Sequence, residues 1–226
     1  MKISSPLINQ KAAYDQIFRD TGLQETLSHY KWILKKCLID APETKSVLDV
    51  GCGAGYFLAL AEKRFRRCYG LDLSEEALKK ARNMASSSYF LCGAGEDLPF
   101  PNKSFDFIFS LGSLEHFLDL RRAIKEIVRV LKNDGQAFIL VPNSFFLPII
   151  FNVLLKGKRG LKSFQPREVQ ATREEWRQLL EENGLKIIRT FAYNYSTAND
   201  PCLYWLMRPF IPFNLAYCFL FQARKS

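Results

Sequence analysis

The sequence predicts an α/β fold in which a doubly wound, mostly parallel sheet of seven strands follows an N-terminal helical cap. Three observations lead to this prediction. Short apolar segments alternate with amphipathic ones along the chain, which is typical of strand–helix–strand units with right-handed crossovers. A glycine-rich turn at residues 51–55 joins the first such strand to a helix. Asp72 ends the next strand, and ligands of such sheets bind beyond the carboxyl ends of the strands.

Local signals place the individual elements. Apolar residues at three- and four-residue spacing mark the helices, and alternating or continuous apolar runs mark the strands. Ser74 with two following glutamates is an N-cap with an acidic first turn, and Thr172 to Glu175 is a capping box. Asn133-Asp134-Gly135 is expected to stop the helix before it. The predicted helices are Gln10–Asp20, Gln24–Asp40, Tyr56–Arg64, Ser74–Met84, Leu120–Lys132 and Thr172–Asn183, and the predicted strands are Val47–Val50, Arg67–Leu73, Ser88–Cys92, Phe105–Ser110, Gln136–Val141, Leu185–Tyr195 and Asn214–Ala223.

The length of 226 residues suits one domain with a small appendage. We expect residues 1–44 to form the N-terminal helical cap and residues 45–226 to form the main domain. The strand–helix rhythm breaks twice within that domain. Residues 144–171 combine an apolar run with a basic one, and residues 196–213 are rich in aromatic residues and prolines. Both segments are expected to be insertions that cap the substrate site.

The composition indicates the cellular compartment and the classes of binding partner that we expect for this protein. The formal charge is +9, and residues 144–226 carry most of it, with 12 Lys and Arg against six Asp and Glu. Such an excess favours nucleic acid, an anionic membrane or an acidic substrate. The six cysteines include no C-x-x-C pair, as expected of a reducing cytosol, and no apolar run reaches the roughly 18 residues of a membrane span. We expect a cytoplasmic protein, with peripheral contact to an anionic membrane surface through residues 145–167 as a further option.

The turn Gly51-Cys52-Gly53-Ala54-Gly55 is suited to a ligand that lies close to the backbone. Its G-x-G-x-G spacing differs from the dinucleotide fingerprint G-x-G-x-x-G, and no Lys-Ser/Thr follows as in a P-loop. Asp72, 21 residues after Gly51, can accept the hydroxyls of an adenosine ribose. NAD and S-adenosylmethionine both carry that ribose. The glycine spacing favours S-adenosylmethionine, because it has no pyrophosphate, and its amino group and sulfonium suit an acid such as Asp49.

Five motifs in this order resemble class I S-adenosylmethionine-dependent methyltransferases, most of all the methyltransferase type 11 group, which includes quinone-biosynthesis enzymes. The resemblance covers residues 45–143 closely and extends weakly to residues 172–189. It implies a Rossmann-like methyltransferase fold, transferase activity and S-adenosyl-L-methionine as cofactor. The motifs are Val47–Gly55, Leu71–Ser74, Glu96–Phe100 with Asp106, Leu114–Phe117, and Leu131–Gly135.

The resemblance also implies which residues bind the cofactor. The three glycines would shape the turn around the methionine moiety, with an aspartate ordering that turn and a second aspartate holding the ribose. Residues after strands three and four would meet the adenine and flank the methyl group, and an N-terminal tyrosine would close over the cofactor. Ala94 stands where many relatives carry an acid for the adenine amino group. The expected cofactor-binding residues are Tyr14, Asp49, Gly51, Cys52, Gly53, Gly55, Asp72, Leu73, Gly95, Glu96, Ser110 and Leu111.

His116, next to Glu115 after strand four, is the candidate general base, because the unperturbed pKa of histidine lies in the working range. The alternative is that Glu115 and His116 only cap and orient the helix that begins near Asp119. Some relatives bind a divalent metal through a Glu-x-x-Glu-His cluster. Gly112 occupies the first glutamate position here, so no metal is predicted.

We expect methyl transfer by in-line displacement to a small, partly apolar acceptor. The basic segment of residues 156–167 leaves two alternatives open, a methyltransferase that acts on RNA or protein and a lipid-like acceptor at a membrane surface. Nucleic acid is the less favoured partner, since no Asp/Asn-Pro-Pro-Tyr/Phe motif follows strand four. A non-catalytic S-adenosylmethionine-binding module is the remaining alternative. The sequence leaves the acceptor atom and the oligomeric state open.

Overall fold

In a computed structural model of the chain, a seven-stranded sheet carries helices on both faces. The structure describes residues 5–20, 27–38, 41–157, 167–194 and 210–226. The helices are α1 (Ser5–Asp20), α2 (Leu27–Cys37), α3 (Tyr56–Ala61), α4 (Glu75–Met84), α5 (Leu120–Val130), α6 (Leu147–Lys156) and α7 (Arg173–Glu182), and the strands are β1 (Ser46–Val50), β2 (Arg67–Asp72), β3 (Tyr89–Cys92), β4 (Phe105–Leu111), β5 (Leu131–Pro142), β6 (Leu185–Tyr193) and β7 (Cys218–Lys225).

The strand order is β3-β2-β1-β4-β5-β7-β6. β1 lies between β2 and β4, and all pairs from β3 to β5 are parallel, whereas β7 is antiparallel to both β5 and β6. The chain order reverses at β1, which places the carboxyl ends of β1 and β4 beside one another at the switch point where such sheets bind ligands. The predicted mostly parallel, seven-stranded fold with N-terminal helices is therefore confirmed.

Two hydrophobic clusters fill the faces of the sheet. In one cluster α5 and α7 pack against β4, β5 and β7. Its members Ile124, Ile127 and Trp176 are fully buried. The other packs α2 and α3 against the opposite face. The two helix caps expected from the sequence are present: Ser74 Oγ accepts from Ala77 N at 3.1 Å, and Thr172 and Glu175 form a complete capping box. A further cap, not predicted, is Asp119, whose Oδ1 accepts from Arg122 N at 3.0 Å.

Several boundaries differ from the sequence prediction. α5 ends at Val130 and β5 begins at Leu131, whereas Asn133-Asp134-Gly135 lies in the irregular stretch of β5 between the Phe105–Leu131 pair and the Phe107–Gln136 pair. The last strand begins at Cys218 rather than Asn214, since residues 213–215 form a 3-10 turn. The first helix begins five residues before Gln10. The expected capping insertion at residues 196–213 lies mostly outside the described residues, whereas residues 147–156 of the other insertion form α6.

Candidate functional site

A cleft that is open to solvent lies at the carboxyl ends of β1, β2, β3 and β4. α1 contributes Gln10, Tyr14 and Phe18 to its lining. Nine residues predicted from the sequence line this one cleft, namely Tyr14, Gly51, Gly53, Asp72, Leu73, Gly95, Glu96, Leu111 and His116.

The glycine turn has the backbone geometry that its spacing predicts. Gly51, Gly53 and Gly55 all have positive φ angles, of 77°, 52° and 80°, a region that L-residues with a side chain rarely adopt. A Cβ at Gly51 would lie 2.4 Å from the Ser113 Cβ, so this glycine also allows the chain after β4 to approach. A Cβ at Gly53 would meet only the Phe18 ring, at 3.6 Å, and would stand in the cleft. The turn is therefore a cradle that leaves its backbone accessible to a ligand.

Asp72 orders this turn from the neighbouring strand. Its Oδ2 accepts from Gly53 N at 2.8 Å, and its Oδ1 accepts from Ser74 N at 2.8 Å. Burial raises the pKa of this carboxyl, although the backbone N–H donors oppose that shift. Each carboxylate oxygen has a second acceptor site, so Asp72 can still accept hydrogen bonds from ligand hydroxyls while it holds the turn.

The adenine end predicted from the sequence lies at Gly95 and Glu96. A Cβ at Gly95 would lie 2.5 Å from Phe117 Cε2, so the glycine permits this aromatic ring to form the wall of the cleft. Glu96 Oε1 accepts from Leu118 N at 2.7 Å and so ties this loop to the start of α5. Ala94 also lines the cleft. The ring of Phe117 and the backbone of this loop border one part of the cleft, which we term the slot.

Five predicted residues lie behind the cleft wall rather than on it. Asp49 is buried within β1, where it pairs with Gly70 and Phe109 of the neighbouring strands. Ser110 is fully buried and its Oγ lies 2.7 Å from Ser113 Oγ, which in turn donates to Val50 O at 2.7 Å. This serine pair joins the ends of β1 and β4. The other three residues off the lining are Cys52, Gly55 and Glu115.

The Glu115-His116 pair lies in a 3-10 turn, Leu114–His116, and both side chains are buried. His116 Nδ1 donates to Arg167 O, because a carbonyl can only accept, which leaves Nε2 without a proton. Burial lowers the pKa of His116, so its ring is neutral near pH 7. The Glu115 Oε1 lies 3.9 Å from His116 Nε2, and burial raises the pKa of Glu115 to about 8. The N-cap of α5 is Asp119, so the pair does not cap that helix.

Sequence reasoning missed several residues of the cleft. Gln10 is buried and its Nε2 donates to His116 O at 2.6 Å, which fixes α1 to the 3-10 turn. Ser113, Phe117 and Phe18 also line the cleft. Of these four residues, only Ser113 and Phe117 could have been found from the sequence, because they lie beside or within the Leu114–Phe117 motif. Gln10 and Phe18 belong to α1, whose position over the sheet no local pattern predicts.

Clusters of metal ligands and membrane-spanning helices are absent from the part of the chain that the structure describes. No group of three or more His, Cys, Asp or Glu side chains there is placed to hold a metal ion. None of the described helices is both long and apolar enough to cross a membrane. The described cysteines, at 37, 52, 68, 92 and 218, are all free thiols, and Cys202 lies outside the described residues.

Comparison with known proteins agrees with this geometry. Residues 48–139 match the methyltransferase domain family. An uncharacterized protein of Methanocaldococcus jannaschii, MJ1252, is 32% identical over 198 residues, which are 79% of this chain and 75% of that protein. The uncharacterized methyltransferase YcgJ of Bacillus subtilis is 39% identical over 100 residues, which are 42% of this chain but only 39% of YcgJ.

Solved structures share the whole fold. A Haloferax volcanii chain from a complex with the Trm112 methyltransferase activator superposes with a TM-score of 0.69 at 20% identity, over 94% of this chain and 97% of that one. At this identity the likeness concerns the fold alone. The site residues fit the expected cofactor, since the glycine cradle, Asp72 and the slot beside Phe117 lie in one cleft. The chain therefore belongs to the class I S-adenosylmethionine-dependent methyltransferases of the type 11 group, whose cofactor is S-adenosylmethionine.

Proposed function

We propose that this chain transfers a methyl group from S-adenosylmethionine to a small, partly apolar acceptor. The observation that carries the proposal is a single cleft that is lined both by the glycine turn and by Leu111, His116 and Tyr14. α1 covers that cleft, and Gln10 fastens it to the turn of His116. An acceptor that reaches the methyl group must fit beneath this cover, which favours a small molecule over a folded polymer.

The cofactor-binding roles follow from the contacts. Gly51, Gly53 and Gly55 would surround the methionine moiety, and Asp49, buried one layer below, would bias the turn electrostatically towards the amino group and the sulfonium. Asp72 would accept the ribose hydroxyls, with Leu73 beside it. Gly95 and Glu96 would border the adenine. Cys52 and Ser110, both buried, would support the cradle from behind, and Leu111 would lie nearest the transferred methyl group.

Catalysis would depend mainly on alignment. The cofactor supplies the electrophilic methyl group when it is bound, and holding two reactants in line is worth roughly 7–11 kcal/mol. Tyr14 would exclude water from above, since its ring centroid lies 6.4 Å from that of His116. The unprotonated Nε2 of His116 would accept a proton from an acceptor that has to lose one. Glu115, whose Oε1 lies 3.9 Å from His116 Nε2, would affect the proton affinity of that nitrogen or take part in the proton transfer.

Calorimetry and a labelled-methyl transfer screen test this proposal. We expect S-adenosylhomocysteine to bind and NAD not to bind, and we expect label to enter at least one of the quinone, phenol, amine and lipid pools. Binding of NAD alone would contradict the cofactor assignment. Tight S-adenosylhomocysteine binding without transfer to any pool would favour a non-catalytic module, and transfer to RNA or protein only would favour the polymer alternative.

A lipid-like acceptor at an anionic membrane surface is the second candidate, and the exposed face of α6 favours it. Val153, Leu154 and Leu155 are 43%, 74% and 78% exposed, and Phe145 just before the helix is 54% exposed. The sequence continues with a run of cations and no acid until Glu168. Apolar side chains beside cations are the combination with which helices lie on anionic membrane surfaces.

A further inference from the structure

Glu115 is a buried carboxyl group next to the acceptor end of the cleft. It is 5% exposed, and its Oε2 makes no hydrogen bond to any part of the chain that the structure describes. Its Oε1 lies 3.9 Å from His116 Nε2 and 3.8 Å from the position that a Cβ on Gly112 would occupy. Both His116 and Gly112 line the cleft. The carboxyl group therefore lies directly behind two residues of the cleft lining.

The groups around Glu115 are acidic or neutral. His116 on the same turn is neutral because burial lowers its pKa. From the other elements, Glu168, Cys218 at the start of β7 and Tyr14 of α1 interact electrostatically with the glutamate. Burial raises the pKa values of both Cys218 and Tyr14, so neither is charged near pH 7. Among the described residues, no lysine or arginine offsets Glu115, and the like charge of Glu168 adds to the rise of its pKa.

A buried carboxylate without a partner is destabilising unless something else satisfies it. Glu115 caps no helix, and within the described residues its side chain joins no ion pair beyond the long contact with His116. On its own Glu115 is mostly protonated near pH 7, because burial raises its pKa to about 8, and a positively charged ligand beside it would stabilise the ionised form. Of the acceptor pools named above, quinones and phenols carry no positive charge near pH 7, whereas amines do.

We propose that Glu115, with Glu168 beside it, binds the protonated amino group of the methyl acceptor, so that this chain methylates an amine nitrogen. This inference rests on the methyltransferase function proposed above and narrows its substrate class. The apolar part of the acceptor would lie between Leu111, Tyr14 and the cap. A carboxylate acceptor would be repelled by the same pair, and an alcohol would gain nothing from it.

The reaction balances with these groups alone. The ammonium group gives one proton to the Glu115 carboxylate, in place of the His116 Nε2 that would serve an uncharged acceptor, and this frees the nitrogen lone pair. A bond forms between that nitrogen and the methyl carbon as the bond between the methyl carbon and sulfur breaks, and the electron pair of the broken bond stays on sulfur. The products are a methylated ammonium ion and neutral S-adenosylhomocysteine. The raised pKa of Glu115, about 8, lies close enough to that of an amine for the proton to be shared.

The test compares amines with their matching alcohols. Butylamine, hexylamine, 2-phenylethylamine and tryptamine are titrated by calorimetry into the full chain saturated with S-adenosylhomocysteine, and each corresponding alcohol is titrated in the same way. We expect at least one amine to bind about 10- to 100-fold more tightly than its alcohol, as for a hydrogen bond to a charged group. We also expect the amine affinity to rise with pH as Glu115 ionises near pH 8. If no amine exceeds its alcohol, the proposal is overturned.

Variants separate the subsite from the rest of the site. Glu115→Gln keeps the shape of the side chain and removes its charge, so the advantage of the amine over the alcohol should disappear while S-adenosylhomocysteine affinity stays within about twofold. Glu168→Gln should reduce that advantage partly. Asp134→Asn, whose side chain is 78% exposed, is the control and should change neither. An undiminished amine preference in Glu115→Gln would overturn the subsite. Wild-type failure to bind S-adenosylhomocysteine would instead contradict the methyltransferase function.

Discussion

At the scale of single residues, Asp72 links the scaffold to the ligand. One of its carboxylate oxygens holds the glycine turn through Gly53 N, and the other holds the start of α4 through Ser74 N. The acid that the cofactor needs is therefore the acid that shapes its cradle. A substitution here should affect ligand binding and local structure together, and the two effects have to be measured separately.

Asp72→Asn tests this double role. The amide replaces one acceptor oxygen by a donor, so the variant must lose either the bond from Gly53 or the bond from Ser74, and it loses the charge assistance of both. We expect S-adenosylhomocysteine affinity, measured by calorimetry, to fall at least about tenfold. Asp134→Asn is the matched surface control. An Asp72→Asn variant that binds with wild-type affinity would contradict the ribose-binding role.

Glu115→Gln should make the protein more stable near neutral pH. The pKa of Glu115 is raised by burial to about 8 from an ordinary 4.5, so the folded state retains a proton that the unfolded state loses. Stability from this group is therefore full below about pH 4.5 and is lost as pH rises towards 8. Glutamine does not titrate. The variant should gain roughly 3 kcal/mol of unfolding free energy at pH 7 and almost nothing at pH 4.5.

Denaturant unfolding of both proteins at pH 4.5, 6, 7 and 8 measures this difference. A pH-independent difference, or a variant that is less stable at pH 7, would mean that the Glu115 carboxylate has a partner in the folded protein. A gain in stability combined with a loss of amine binding would identify Glu115 as a group retained for function at a cost in stability.

Residues on motifs were predictable, whereas contacts between distant segments were not. The glycines, Asp72, Gly95 and Glu96 follow strands, and parallel strands bring their carboxyl ends together, so the sequence alone could collect them in one place. The hydroxyl of Ser110 can be buried because it bonds to Ser113, which in turn donates to the carbonyl of Val50, a residue that lies 60 positions before Ser110 in the chain. Such packing has no local signature.

At the scale of elements, α1 is the cover of the cleft, and it is held by few buried groups. Among the α1 residues whose burial the structure describes, only Gln10 and Phe18 are buried. Phe18 and Tyr14 join a small apolar cluster with Ala54 and Ala77. Polar contacts add to it: Ser74 Oγ donates to Asp15 Oδ1 at 2.7 Å, and Lys80 Nζ donates to Phe18 O. A helix with little buried apolar surface opens at low free energy. Such a helix suits a cover that must admit a cofactor.

Hydrogen exchange tests α1 as a cover. We expect S-adenosylhomocysteine to slow amide exchange in residues 8–20, because Tyr14 and Phe18 line the cleft that the ligand fills. Gln10→Ala removes the bond to His116 O and should speed α1 exchange in the free protein by about two- to tenfold. Exchange in α7, which does not line the cleft, is the internal control. Equal protection of α1 with and without ligand would contradict its role.

Element boundaries also show the limit of local signals. Asn133-Asp134-Gly135 is a strong helix stop by composition, and α5 does end nearby, at Val130. The three residues lie within β5, but in its irregular stretch between the Phe105–Leu131 pair and the Phe107–Gln136 pair. A Cβ at Gly135 would lie 2.9 Å from Asp106 O, so this glycine permits a close approach between neighbouring strands. The composition therefore marks a real break in pairing, whereas the pairing of Leu131 with Phe105 before it has no local signal.

At the scale of the whole molecule, the rhythm of strands and helices was enough to predict a doubly wound sheet, but not the order and direction of its last two strands. β7 lies between β5 and β6 and runs antiparallel to both. That arrangement follows from how the C-terminal third folds back, and no periodicity encodes it. The same third carries most of the net positive charge and the exposed apolar face of α6, so the features that select the acceptor lie where the sequence was least informative.

Vesicle sedimentation tests whether the α6 face meets a membrane. We expect the chain to bind vesicles with about 30% anionic lipid and to be released by about 0.5 M salt, since electrostatic attraction to such surfaces is screened by salt. Leu154→Glu combined with Leu155→Glu removes two exposed apolar side chains from α6 and should weaken binding about tenfold or more. Ile188→Glu is the matched control, because Ile188 is 50% exposed but lies on β6. If Ile188→Glu weakens vesicle binding equally, the added negative charge alone would account for the loss. If the wild-type chain does not bind vesicles, the membrane candidate is contradicted and a soluble amine is the acceptor that the cleft favours.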